Sequence, residues 1–128
     1  MNGMENPEKL RNVRNLLLKQ HKTLLDRERE FYEGIHGRLT AGAFLNVILE
    51  DGDFAWLRKF SMLIVEIDEL FAAKGGYDPA MIDANLVASK ELIDMVGGDE
   101  MFNAKYEFGL QHNEEAASLH GEIVDALR

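Results

Sequence analysis

The sequence predicts an all-α protein, a compact helical bundle of four to six helices with short connections. The first observation is the stretch Phe54 to Ala73, whose apolar side chains fill an arc of about 140° at the helical 100° per residue. The second is a series of helix-start and helix-stop signals along the chain. The third is the lack of any alternating apolar and polar run bounded by hairpin turns. Together they favour helices throughout and no strands.

Length and composition are those of an ordinary globular domain. The chain has 128 residues, of which 46% are hydrophobic and 29% charged. A single domain of this length buries about 68% of the surface of its unfolded chain. We expect a disordered N-terminal tail over residues 1–6 and one helical-bundle domain over residues 7–128.

Charge and cysteine content exclude several classes of function. The formal net charge is -9 and no Lys/Arg cluster opposes it, so nucleic acids and anionic membranes are unfavourable partners. The absence of cysteine excludes disulfides, thiolate metal sites and thiol nucleophiles. No segment has the apolar length of a signal peptide or a membrane span, so we expect a soluble cytoplasmic protein.

The first predicted helix opens with a cap followed by proline. Asn6 is the expected N-cap and Pro7 the first helical residue. The helix is predicted to run to about Glu33, because Gly34 and Gly37 offer stop signals. Its inward face is predicted to carry Leu10, Val13, Leu17, Leu24, Phe31 and Ile35.

A short helix and then the central helix are predicted next. Thr40 is suited to cap a helix over residues 41–49, and Asp53 to cap the central helix. The central helix is the stretch Phe54 to Ala73, and Gly75-Gly76 are expected to end it in a left-handed conformation.

Two more start signals organise the second half of the chain. Asp78, followed by proline, predicts a helix over residues 79–96, and Asp99 predicts the start of the next one. Residues 100–128 form either one long helix or two. A polar run with acidic residues favours a break near His112.

No familiar catalytic or nucleotide-binding string occurs. The chain lacks a Gly-rich phosphate loop, a nucleophile elbow, an HExxH motif and an EF-hand loop. A carboxylate-bridged di-metal site needs Glu-x-x-His on two helices, and only Glu33–His36 fits that pattern. The sequence therefore favours a non-enzymatic protein and predicts no cofactor.

Polar residues within apolar stripes are the best candidates for a metal or ligand site. These are His21, Glu28, Asp68 and His120, which lie on three predicted helices. Helical bundles build sites for divalent transition metals from inward-facing groups of this kind. The alternative is a structural network in which such groups satisfy one another.

A second candidate site lies near the predicted end of the first helix. Arg27, His36 and Arg38 are suited to hold an anion, with Glu30 or Glu33 as a base. The alternative is a solvated helix face whose basic residues favour the negative end of the helix dipole.

A second, narrower apolar strip on the central helix is a candidate interface. Phe54, Met62 and Val65 would bury this strip in a homodimer or against a protein partner. Packing within the chain is the alternative.

Three short runs resemble those of a group of small uncharacterised bacterial all-helical proteins. The runs are residues 24–29, Tyr32-Glu33 with His36-Gly37-Arg38, and residues 54–58. The resemblance covers most of residues 10–127. It implies a bacterial cytoplasmic protein and no particular activity.

Taken together, the sequence favours a non-enzymatic self-association or protein-interaction module. The alternative is a metal- or small-ligand-binding bundle, an oxidoreductase or a hydrolase, with a polar site inside the bundle.

Overall fold

The computed structural model describes residues 5–128, and that part of the chain forms an all-helical bundle without strands. It contains α1 (Asn6–His36), α2 (Ala41–Glu50), a 3-10 helix (Gly52–Leu57), α3 (Arg58–Ala72), α4 (Pro79–Ile93), α5 (Glu100–His112) and α6 (Glu114–Ala126). The predicted fold class is confirmed. Most of the tail predicted for residues 1–6 lies outside the described residues. No helix within those residues has the length and apolarity needed to cross a bilayer.

Helix α1 is the central helix of the bundle, because α3, α4, α6 and the 3-10 helix all pack against it. Its buried positions recur at alternating steps of three and four residues, which places them on one face of a helix. They are Leu10, Val13, Leu17, Gln20 and Leu24. Phe31 and Ile35 were predicted to continue this face but are exposed, so that prediction is wrong for them. Periodicity identifies the face of a helix, whereas burial also requires a neighbour that extends as far.

The central stretch is two helices rather than one. A 3-10 helix leads into α3, and the carboxylate of Asp51 caps it by accepting a hydrogen bond from the Asp53 N–H at 2.9 Å. The prediction that Asp53 is the N-cap is therefore wrong. A 3-10 helix turns 120° per residue, so Phe54, four residues before α3, is rotated by about 80° from its position in an ideal α-helix.

That rotation buries Phe54. Its side chain is 1% exposed and its ring packs against Tyr32 and Phe44 at centroid distances of 6.0 and 5.7 Å. Phe54 is therefore a core residue and the prediction that it belongs to an interface is wrong. Met62 and Val65, the other two interface candidates, are exposed on α3.

Most helix starts follow the predicted caps. The side chains of Thr40, Asp78 and Asp99 each accept a hydrogen bond from a backbone N–H in the first turn of the helix that follows. Asn113 does the same for α6, so the break predicted near His112 is confirmed. Besides Asp53, Asn6 is an exception. It is the first helical residue after the N-cap Glu5, and its amide donates to Asp83 Oδ1 at 2.8 Å.

Two helix ends differ from the predicted ones by three residues each. Helix α1 continues through Gly34 to His36 and ends at Gly37, whose φ is 89°. Helix α4 ends at Ile93 rather than Val96, and Met95 then adopts a φ of 59°. Helix α3 ends at Ala72 and is followed by Gly75-Gly76, both with positive φ as predicted.

Two charged side chains of α1 hold the connection to α2. The Glu33 carboxylate accepts a hydrogen bond from the Leu39 N–H at 2.8 Å, and the Arg29 guanidinium donates to the Leu39 carbonyl at 3.0 Å. Arg29 also lies 4.5 Å above the centroid of the Phe44 ring. The hydrogen bond from Leu39 is the main reason why the pKa of Glu33 is lowered. These contacts fix α2 beside the C-terminal part of α1.

Candidate functional site

An open cleft of about 650 Å³ lies between the C-terminal part of α1 and α5, and we call it the α1–α5 cleft. The 3-10 helix contributes Phe54 to its lining. The other lining residues are Glu28, Phe31, Tyr32, Ile35 and His36 of α1, Asp51 and Asp53, and Met101, Ala104, Lys105 and Phe108 of α5.

At one glycine of α5 a side chain of α1 comes very close to the backbone of α5. A Cβ atom built on Gly109 would lie 2.8 Å from Cδ2 of the buried Leu24, so α5 contacts α1 there without room for a side chain. Phe31 and Phe108 lie beyond this contact and line the cleft. The cleft is thus the space that remains where the two helices no longer pack against each other.

Four large apolar side chains of the cleft are exposed. Phe31, Ile35, Met101 and Phe108 have exposed fractions of 47%, 79%, 59% and 51%. Single exposed apolar residues are common on protein surfaces, whereas several around one cavity mark binding surfaces. The sequence analysis assigned Phe31 and Ile35 to the core, so it missed this surface.

Glu28 is a half-buried carboxylate in the same cleft. Burial raises its pKa, the nearby charge of Asp53 adds to this increase, and the charge of Lys105 opposes it. No hydrogen bond or ion pair to Glu28 is formed within residues 5–128. Glu28 is therefore a partly desolvated acid whose oxygen atoms have no hydrogen-bonding or ion-pair partner among those residues.

A narrower cavity of about 20 Å³ borders the cleft and shares Glu28, Phe31, Lys105 and Phe108 with it. Trp56 also lines this cavity. Its indole N–H is buried, and residues 5–128 supply no hydrogen-bond acceptor for it. The inner end of the cleft thus combines a carboxylate and a buried donor in apolar surroundings.

The four residues predicted as metal or ligand candidates lie in different surroundings. Asp68 accepts two hydrogen bonds from Arg14 of α1, at 2.8 and 2.9 Å, and Glu28 lines the α1–α5 cleft. His21 is partly buried, and this burial lowers its pKa. His120 belongs to the network described next. Across residues 5–128, no three His, Asp or Glu side chains are grouped closely enough to hold a metal ion.

His120 is part of a network that connects three helices. The Gln20 side-chain N–H₂ donates to the Ala116 carbonyl at 2.8 Å and to the Tyr106 hydroxyl at 3.1 Å. The Tyr106 hydroxyl lies 2.8 Å from His120 Nδ1. Because the hydroxyl accepts from Gln20, its own proton is available to His120, and this assigns Nδ1 as the acceptor of a neutral imidazole.

Burial stabilises the neutral forms of both ring systems in this network. It lowers the pKa of His120 and raises the pKa of Tyr106 above its ordinary value. The sequence analysis did not identify Gln20, although its spacing from Leu17 and Leu24 would have placed it in the core.

The three residues of the predicted anion site lie in different surroundings. Arg27 forms an ion pair with Glu30 at 3.5 Å, and its guanidinium lies 4.7 Å from the centroid of the Phe31 ring. The imidazole of His36 packs on Tyr32 at a centroid distance of 4.3 Å and lines the α1–α5 cleft. Arg38 is exposed in the connection to α2 and does not line this cleft.

Comparison with known proteins gives no independent indication of function. No protein-family model, curated protein or solved structure matches the chain. The resemblance to small bacterial all-helical proteins therefore stays a prediction. The function has to be inferred from the surface of this molecule.

Proposed function

We propose that the protein is a non-enzymatic, cytoplasmic binding module that holds a helical segment of a partner protein in the α1–α5 cleft. The observation that carries the proposal is the convergence of four exposed apolar side chains, Phe31, Ile35, Met101 and Phe108, on one cavity. Water-exposed apolar surface of this kind is stabilised when a partner covers it.

The shape of the cleft favours a helix as the occupant. Phe31 and Ile35 are one turn apart on α1, and Met101 and Phe108 are two turns, about 10 Å, apart on α5. Grooves between helices accept amphipathic helices whose apolar anchors follow the same spacing. Small-molecule sites enclose 70–90% of the ligand surface. A cleft with its apolar residues on an open rim suits a longer, rod-shaped occupant better.

Site-specific crosslinking in the cells that naturally produce the protein tests this proposal. A photoreactive amino acid replaces Ile35 or Met101, and the matched control carries it at Val87 of α4, which is 55% exposed and lies outside the cleft. We expect one defined crosslinked protein from both cleft positions and none from Val87. We also expect Phe108→Asp to abolish the crosslink. Crosslinks of equal yield at Val87, or none at the cleft positions, would contradict the proposal.

A second candidate function is self-association through α3. Met62 and Val65 lie about one turn apart on α3 and are 63% and 51% exposed. Two copies of this strip would bury each other in a symmetric dimer. This interface is separate from the α1–α5 cleft, so the two functions are compatible.

A further inference from the structure

The α1–α5 cleft carries a charge pattern that restricts what can occupy it. Three carboxylates line it, those of Glu28, Asp51 and Asp53, against the ammonium group of Lys105. The guanidinium of Arg27, which lies over the ring of Phe31, is itself paired with Glu30. The whole chain has a formal charge of -9. An occupant with acidic residues would therefore meet like charge both in the cleft and at long range.

Glu28 is the group most affected when the cleft is filled. It is already half-buried and has no hydrogen-bonding partner in the described part of the chain, residues 5–128. A helix laid across the apolar rim would remove more of its water. A carboxylate that loses its water without gaining a partner costs free energy, and a cation that pairs with it offsets this cost. A neutral apolar helix would add no positive charge to that of Lys105, which already offsets part of this cost.

The position of Glu28 on α1 also determines where a basic residue of the bound helix has to lie relative to its apolar anchor. Glu28 precedes Phe31 by three residues and Ile35 by seven, so all three lie on one side of the helix. Glu28 is thus about one turn from Phe31 along the helix axis. A basic residue that meets Glu28 has to lie three or four residues from the apolar side chain that contacts Phe31.

We propose that the cleft selects an amphipathic helix with a Lys or Arg placed one turn from its apolar anchor, and that this cation pairs with Glu28. This inference rests on the proposed function and specifies the chemistry of the partner. The charge complementarity of cleft and occupant is the observation that supports it.

A display selection with a library of 16-residue helical peptides tests the inference on the full chain. The peptides carry Leu at two anchor positions one turn apart, and the remaining positions are randomised. Selection on the wild-type protein is followed by removal of every clone that still binds Ile35→Asp, which leaves clones that need the cleft. Affinities of these clones are then measured on Glu28→Gln, and on Glu30→Gln as a matched control. Glu30 is an exposed carboxylate of α1 outside the cleft.

We expect most cleft-dependent clones to carry Lys or Arg three or four residues from an anchor. Glu28→Gln should weaken their binding about tenfold and Glu30→Gln less than twofold, since a partly buried charge pair contributes more than an exposed one. Cleft-dependent clones without that basic residue, or basic clones indifferent to Glu28→Gln, would overturn the inference and leave the proposed function intact. A selection without any clone that depends on Ile35 would overturn both. Circular dichroism and thermal melting of each variant establish that it is folded.

Discussion

Gln20 shows how one polar residue in an apolar series organises the interior. It lies between Leu17 and Leu24 on the buried face of α1 and is 0% exposed. Its N–H₂ group therefore has to find acceptors in the core, because an unpaired buried polar group costs about 1–3 kcal/mol. Its Oε1 is buried and has no hydrogen-bond donor among residues 5–128. The acceptors of the N–H₂ group are the Ala116 carbonyl and the Tyr106 hydroxyl, and the latter continues to His120. The network ties α1 to α5 and α6.

Removing the central hydroxyl of this network should be costly. Tyr106→Phe leaves His120 Nδ1 and one N–H of Gln20 without a partner, so we expect the free energy of unfolding to fall by about 1–3 kcal/mol. Tyr77→Phe is the matched control, because Tyr77 is partly exposed and its hydroxyl forms no hydrogen bond with residues 5–128. It should change stability by less than about 0.5 kcal/mol. Urea unfolding measures both, and equal effects would contradict the assigned network.

The sequence identified some inward polar residues but not what they meet. His120 and Glu28 were both singled out because each lies within an apolar stripe, and both are partly buried. Whether such a group faces a metal, a hydroxyl or an open cleft depends on the neighbouring helix, which a single stripe does not specify. In the structure His120 forms a hydrogen bond with the Tyr106 hydroxyl, whereas Glu28 lines the open α1–α5 cleft.

The 3-10 helix is the element whose geometry the sequence did not reveal. Continuous apolar spacing through residues 54–73 predicted one helix, and Asp53 has the right type and position for an N-cap. The N-cap is instead Asp51, two residues earlier, whose carboxylate accepts a hydrogen bond from the Asp53 N–H. The tighter winding that follows brings Phe54 into contact with Tyr32 and Phe44, and this burial stabilises the arrangement. Tertiary packing here overrides the ideal helical period.

Two neighbouring aspartates provide a direct test of this start. Asp51→Ala removes the cap of the 3-10 helix and should lower the free energy of unfolding by about 1 kcal/mol. Asp53→Ala, the residue that the sequence predicted as the cap, should have less than half that effect, because its side chain is not the one that caps the helix. Chemical denaturation of both variants decides between them. A larger loss for Asp53→Ala would indicate an α-helix that begins at Phe54.

At the scale of the whole molecule, helix number and most caps agree with the sequence. The central position of α1 does not, because the stretch 54–73 was predicted to be central, and the cleft does not follow from the sequence either. The amphipathic stripe of α1 predicts that Phe31 and Ile35 are buried against another part of the protein. In residues 5–128 they are exposed, because α5 contacts the Leu24 side chain of α1 at Gly109 but leaves the later turns of α1 open. The place where α1 and α5 contact each other depends on how the whole bundle packs. The apolar stripe of either helix, taken alone, does not predict it.

The proposed dimer is also a property of the whole molecule. We expect light scattering at micromolar concentration to show a dimer that Val65→Glu converts to a monomer, while Ile35→Glu has no effect on the oligomeric state. Each subunit carries a charge of -9, so raising the salt concentration should strengthen the dimer by screening their repulsion. A monomeric wild-type protein at high salt would rule out this interface.

The position of Trp56 gives the cleft a built-in optical reporter. It is the sole tryptophan of the chain, it is almost fully buried, and it lines the cavity at the inner end of the cleft beside Glu28. Its fluorescence therefore comes from a single site, without a contribution from any other indole. A peptide that enters the cleft alters the electric field and the packing around this ring, so its emission can follow binding in solution without a label.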